Sequence, residues 1–117
     1  MADVLGEFEQ LLLLAVLRLG DEAYGVTIRQ AIETATGRDV SAGAVYTALG
    51  RLEQRGLVTS RPGESAPERT GMRRRYYTVR PEGARRLVRA YRDLQSLAHG
   101  VMPAMERLAA RRSGGRR

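Results

Sequence analysis

SAGAVYTALGRLEQRGLVTSR, Ser41–Arg61, followed after a polar loop by RRRYYTV, Arg73–Val79, is the stretch whose reading decides the fold. Its first half repeats apolar residues at helical spacing, with Val45, Ala48, Leu49 and Leu52 on one stripe. Ser41 stands where a helix N-cap belongs, and Gly56 where the helix should stop. Leu57–Arg61 then reads as a short strand. Pro62–Met72 holds two prolines and two glycines among mixed charges, the composition of a loop. Arg73–Val79 returns as a second strand, rich in the β-favouring residues Tyr76, Tyr77, Thr78 and Val79. The order is helix, then hairpin, with three consecutive arginines heading the returning strand.

Upstream, FEQLLLLAVLRL (Phe8–Leu19) predicts a first helix, and YGVTIRQAIETAT (Tyr24–Thr36) a second with Ile28, Ala31, Ile32 and Ala35 inward. Leu11–Leu14 span more than one face of a 3.6-residue period, so the first helix should be buried on two sides. Downstream, Pro81 opens a long helix with Glu82 in its first turn. Leu87, Tyr91, Leu94, Ala98, Val101, Met105 and Leu108 alternate in steps of four and three, an a/d seam. A domain this small has nothing left to cover that seam except another copy of itself. Gly100 and Pro103 interrupt the pattern, and a kink or break is expected at 99–103. The division that follows is a helix-and-hairpin unit over 1–80, assigned to DNA binding on the grounds given below, a dimerisation helix over 81–110, and a tail over 111–117 expected to be disordered.

The formal charge is +7 and every basic residue is arginine. A GC-rich genome accounts for arginine over lysine; it does not account for the excess of cations or for the run Arg73–Arg75. A basic face attracts polyanions, nucleic acid first among them. There is no cysteine, which excludes disulfides and thiolate metal sites. No apolar run is long enough for a membrane span, and the acidic N-terminus is unlike a secretory signal, so a cytoplasmic location is expected. His99 is the only histidine. With no phosphate-loop, HExxH or nucleophile constellation, no enzyme, cofactor or metal reading follows.

On the middle helix, a turn of ~100° per residue separates the apolar stripe from Gly43, Tyr46, Thr47, Gly50 and Gln54, with Arg51 on the flank. Hydroxyls there can hold phosphates, while arginine and glutamine can reach base edges. Ser41 and Gly43 bring the helix N-terminus near a phosphate, which the helix dipole favours. Alternation along the returning strand sends Arg73 and Arg75 to one face and Arg74 to the other.

The Tyr24-Gly25 pair, the VYTALGRLEQRGLV block (Val45–Val58) and RRRYYTVRPEG (Arg73–Gly83) resemble the PadR family of bacterial winged-helix transcriptional regulators, over about Leu5–Tyr91. The resemblance implies a mainly α fold with a small β-hairpin wing, a winged helix-turn-helix plus a C-terminal dimerisation helix. It implies a homodimeric repressor that binds double-stranded DNA and is released by a small lipophilic effector at the dimer centre. The chain's shortness is similar to the subfamily with a single C-terminal helix. Two positions depart: Arg80 stands where the family commonly has Thr, and Leu94 where drug-binding members carry Trp.

The expected DNA contacts are therefore Ser41, Gly43, Tyr46, Thr47, Arg51, Gln54, Arg73, Arg74 and Arg75. The expected dimer contacts are Phe8, Leu11, Leu12, Leu87, Tyr91, Leu94, Ala98, Val101 and Met105. The alternative is a winged-helix module that recruits proteins, its charge serving solubility; RNA binding ranks last, because the outward helix face offers one aromatic and no stacking platform.

Overall fold

The structure, a computed structural model, describes residues 4–63 and 74–112. It is mainly α with one antiparallel hairpin, in the order α1 (Glu7–Leu19), α2 (Gly25–Thr36), α3 (Ala42–Gln54), β1 (Val58–Pro62), β2 (Arg75–Val79), α4 (Pro81–Ala98) and α5 (Met102–Ala109). A single 3-10 turn, Gly20–Glu22, links α1 to α2. The chain divides into two compact units, residues 1–87 and 88–117, which are taken in turn.

In the first unit three amphipathic helices and the hairpin share one core. Leu12, Leu13, Ala15 and Val16 come from α1, Ile28 and Ile32 from α2, and Val45, Leu49 and Leu52 from α3. Leu57, Val58 and Tyr77 close it from the hairpin side, and Leu87 from α4. Each of the large residues contributes about 1.5–3 kcal/mol by leaving water. The helix ends follow local chemistry. The Gly6 N–H donates to Glu9 Oε1 at 2.8 Å. Gly37 closes α2 in the left-handed region, φ 75°. Ser41 Oγ accepts the Ala44 N–H at 3.0 Å, capping α3 as its position in the sequence predicts.

The hairpin register is Val58↔Val79, Thr59↔Thr78, Ser60↔Tyr77, Arg61↔Tyr76 and Pro62↔Arg75. Ala23 and Tyr24 add a short third row: Tyr24 bridges Tyr76, and the Tyr77 N–H donates to the Ala23 carbonyl at 2.9 Å. Gly83 lies so close to the Leu57 carbonyl that a Cβ would overlap it. The glycine lets the start of α4 close on the turn between α3 and β1.

Burial on two sides of α1 is not what this chain achieves by itself. Leu12 and Leu13 are enclosed, Leu11 is half-buried, and Leu14 remains 46% exposed. Leu12 and Leu87, expected at a dimer contact, instead belong to the first unit's own core.

In the second unit α4 ends at Ala98 and α5 starts at Met102. The break is made by Gly100, whose φ of 80° leaves the right-handed helix. Pro103 does not kink a continuing helix. It sits in the first turn of α5, where its missing N–H costs no helical bond. No described helix is long and apolar enough to cross a membrane.

Candidate nucleic-acid interface

The stripe of α3 goes into the core, which turns the opposite face outward. Val45, Leu49 and Leu52 are fully buried, whereas Gly43, Tyr46, Thr47, Gly50, Arg51 and Gln54 are exposed. This is the division that helical phase predicts. Tyr46 lies across the start of α2, directly over Gly25, where a Cβ would overlap the phenol. Any larger residue at position 25 would push Tyr46 off its seat. The need for glycine in the Tyr24-Gly25 pair is therefore a packing need between α2 and α3.

The hairpin continues the same side of the unit. Its core-facing row holds Val58, Ser60, Tyr77 and Val79, with Arg75 at the tip end. Arg75 Nε donates to Ser60 Oγ at 3.1 Å, and the Ser60 hydroxyl donates to Glu53 Oε2 at 2.8 Å. This relay ties the wing to the last turn of α3. The outer row holds Arg61 and Tyr76, extended to Arg74, whose carbonyl accepts the Gly63 N–H at 2.8 Å. Arg74 and Arg75 therefore diverge, as alternation requires. Arg73 lies outside the described residues. Between α2, α3 and the hairpin is a cleft of about 310 Å³, lined by Tyr24, Gly25, Tyr46, Arg74 and Arg75 among others.

Five of the described arginines are paired with carboxylates. Arg38 pairs with Glu7 at 2.7 Å, Arg55 with Glu9 at 2.8 Å and, more loosely, Arg29 with Glu33 at 3.9 Å. Glu82 accepts from Arg86 at 2.8 Å and Arg85 at 3.2 Å. Among the described residues Arg51, Arg61, Arg74 and Arg75 have no carboxylate ion pair. Hydrogen bonding to Tyr76, and then the Tyr24 phenol, holds Arg74 above the ordinary arginine pKa. Burial pushes the Tyr77 phenol up, with Glu53 adding to it. Arg38 holds the Glu7 carboxyl below its usual range, and Arg86 with Arg85 does the same for Glu82.

Residues 13–89 match the profile of the transcriptional regulator PadR-like family. The chain belongs to that family. PadR-like proteins are transcriptional regulators, not enzymes. A PadR family regulator from Eggerthella lenta is 28% identical, with 83% of this chain and 82% of that one covered at a TM-score of 0.62. A transcriptional regulator from Clostridium thermocellum is 27% identical, covering 75% and 80% at a TM-score of 0.62. A PadR family regulator from Clostridium difficile is 26% identical, covering 81% and 96% at 0.56. None of the functionally curated proteins matches the sequence.

Within the PadR-like frame, Ser41 is occupied in capping and Gly43 is open to solvent, while Tyr46, Thr47, Arg51 and Gln54 share one accessible face. Of the residues expected at the dimer contact, Tyr91, Leu94, Val101 and Met105 are exposed, Ala98, Phe8 and Leu11 half-buried. Sequence reasoning missed Arg61 and took Tyr24 only as part of a family motif. The signal for both was the hairpin register, which a polar loop of unspecified turn type does not reveal.

Proposed function

We propose that this chain is a sequence-specific transcriptional repressor that binds a pseudo-palindromic operator as a homodimer. The observation that carries the reading is the exposed row Tyr46, Thr47, Arg51 and Gln54 on a helix whose other face is buried, flanked by a hairpin bearing arginines without carboxylate partners. In this reading α3 enters the major groove, where Arg51 and Gln54 reach base edges and the Tyr46 and Thr47 hydroxyls reach phosphates. Ser41 and Gly43 bring the N-terminus of α3 to the backbone. Arg73, Arg74 and Arg75 form the wing. The uncovered apolar residues Tyr91, Leu94, Val101 and Met105 meet a second copy, and two-fold symmetry sets half-sites about 34 Å apart. A small lipophilic effector, bound where the two stripes meet, would release the operator by favouring a different spacing of the two α3 helices.

The test is fluorescence anisotropy on the duplex upstream of the protein's own gene, titrated across salt beside a scrambled duplex. Tight binding to the first alone, at one dimer per palindrome, is expected. The triple change Arg73→Ala, Arg74→Ala and Arg75→Ala should lower the slope of log K against log salt by up to about three units. Equal, strongly salt-dependent binding to both duplexes would reduce the interface to a basic surface and favour a protein-recruiting module.

A further inference from the structure

We infer that Arg61, Tyr76, Tyr24 and Arg74 form a preset clamp for backbone phosphates on the outer face of the wing, with Tyr24 acting as a positioning residue. The inference rests on the DNA-binding reading and adds to it one binding cation, Arg61, and one residue that acts without touching the ligand.

The register places Arg61 opposite Tyr76, and Tyr24 bridges Tyr76 from the other side, so the three lie in one row across the strands. Arg74 precedes Tyr76 by two residues and shares its face. The side chains stack in the order cation, ring, ring, cation. Arg61 Cζ lies 4.9 Å from the Tyr76 centroid and Arg74 Cζ lies 4.4 Å from that of Tyr24. The two rings are 5.2 Å apart at 57°. Main-chain bonds from Tyr77 to Ala23 and from Gly63 to Arg74 hold the row in place.

A guanidinium stacked on a ring is attracted through its flat face and keeps its edge N–H groups for another acceptor. Those edges form the planar fork that suits two oxygens of one phosphate. Among the described residues no carboxylate pairs with Arg61 or Arg74. Arg74 gives part of its edge to the Tyr76 hydroxyl and keeps the rest, whereas Arg75 has its Nε tied to Ser60 and through it to Glu53. Arg74 lines the same cleft as Tyr46, so one end of the stack opens beside the outward face of α3. Tyr24, half-buried beneath Arg74, restricts that side chain before the ligand arrives and so lowers the ordering cost of binding.

A double-mutant cycle on the upstream duplex tests this. Tyr24→Leu should weaken binding roughly three- to five-fold with the salt slope unchanged, because ring attraction is lost and no charge is. Tyr24→Phe should stay within about two-fold of the wild type, since the ring face is kept. In an Arg74→Gln background Tyr24→Leu should cost less than about two-fold, the cation it positions being gone. Arg61→Ala, at an exposed site, should lower the salt slope by about one unit or less. Equal losses from Tyr24→Leu in both backgrounds, or an unchanged slope for Arg61→Ala, would overturn the clamp. Should Tyr24→Leu unfold at the assay temperature, Tyr24→Phe and Arg61→Ala still decide. Failure of the wild-type protein to bind duplex even at low salt would instead remove the DNA-binding reading.

Discussion

α3 and α4 carry the same kind of apolar stripe and meet different surroundings. On α3, Val45, Leu49 and Leu52 are wholly enclosed by α1, α2 and the hairpin. On α4 only Leu87, in its early turns, reaches a core. Leu94 is 62% exposed and Leu97 84%. Helical period therefore tells which face is apolar, and it is silent on what covers that face. For α3 the cover is the rest of its own unit. For α4 beyond Leu87, and for Val101, Met105 and Leu108, it has to come from outside the described chain or be water.

The sharpest way to break this comparison is to cut each stripe. Leu52→Ala should cost about 2–5 kcal/mol in chemical denaturation, the loss expected where a buried leucine leaves a cavity. A loss below 1 kcal/mol would mean the core of the first unit closes without α3. Leu94→Asp should leave that core intact and act on assembly, giving monomers in sedimentation velocity. A dimer that survives it would assign the α4 stripe to a different occupant.

Smaller effects sharpen the picture from the α3 side. Ser41→Ala removes the hydroxyl that accepts the Ala44 N–H. It should lower stability by ~1 kcal/mol, readable as a fall in melting temperature. The smallest effect is a pH dependence. Burial raises the pKa of Tyr77, so the folded state favours the neutral phenol. The associated stability is complete below the ordinary phenol pKa of about 10 and is lost as pH rises through the raised folded value. Tyr77→Phe should flatten that alkaline loss in melting curves taken above pH ~9.5, and a parallel curve would assign it to other groups.

Much of this was legible in one dimension. The α3 cap, its inward stripe and its outward residues follow from a hydroxyl, a glycine stop and a period of 3.6, all carried by neighbours within a few positions. The paired strands follow from β-branched and aromatic runs around a loop rich in glycine and proline. Helix ends shifted only slightly, as at α1, which begins at Glu7 rather than Phe8. Leu12 and Leu87 were assigned to the wrong surface, because a leucine on a stripe looks the same whether its partner is intramolecular or another chain. The interruption expected at 99–103 falls between Ala98 and Met102, with Gly100 leaving the helix and Pro103 in the first turn of the next one.

By itself the sequence determined where the helices lie, which side of α3 is polar, and that the cations outnumber the anions around a hairpin. Those properties depend on spacing along the chain and on composition. Only the tertiary structure decided that Gly25 makes room for Tyr46, that Arg75 is tied to Ser60, and that Arg61, Tyr76, Tyr24 and Arg74 stack in one row. These contacts join residues from four separate segments. Their geometry is set by strand register and by the closure of one core, and no local pattern encodes either.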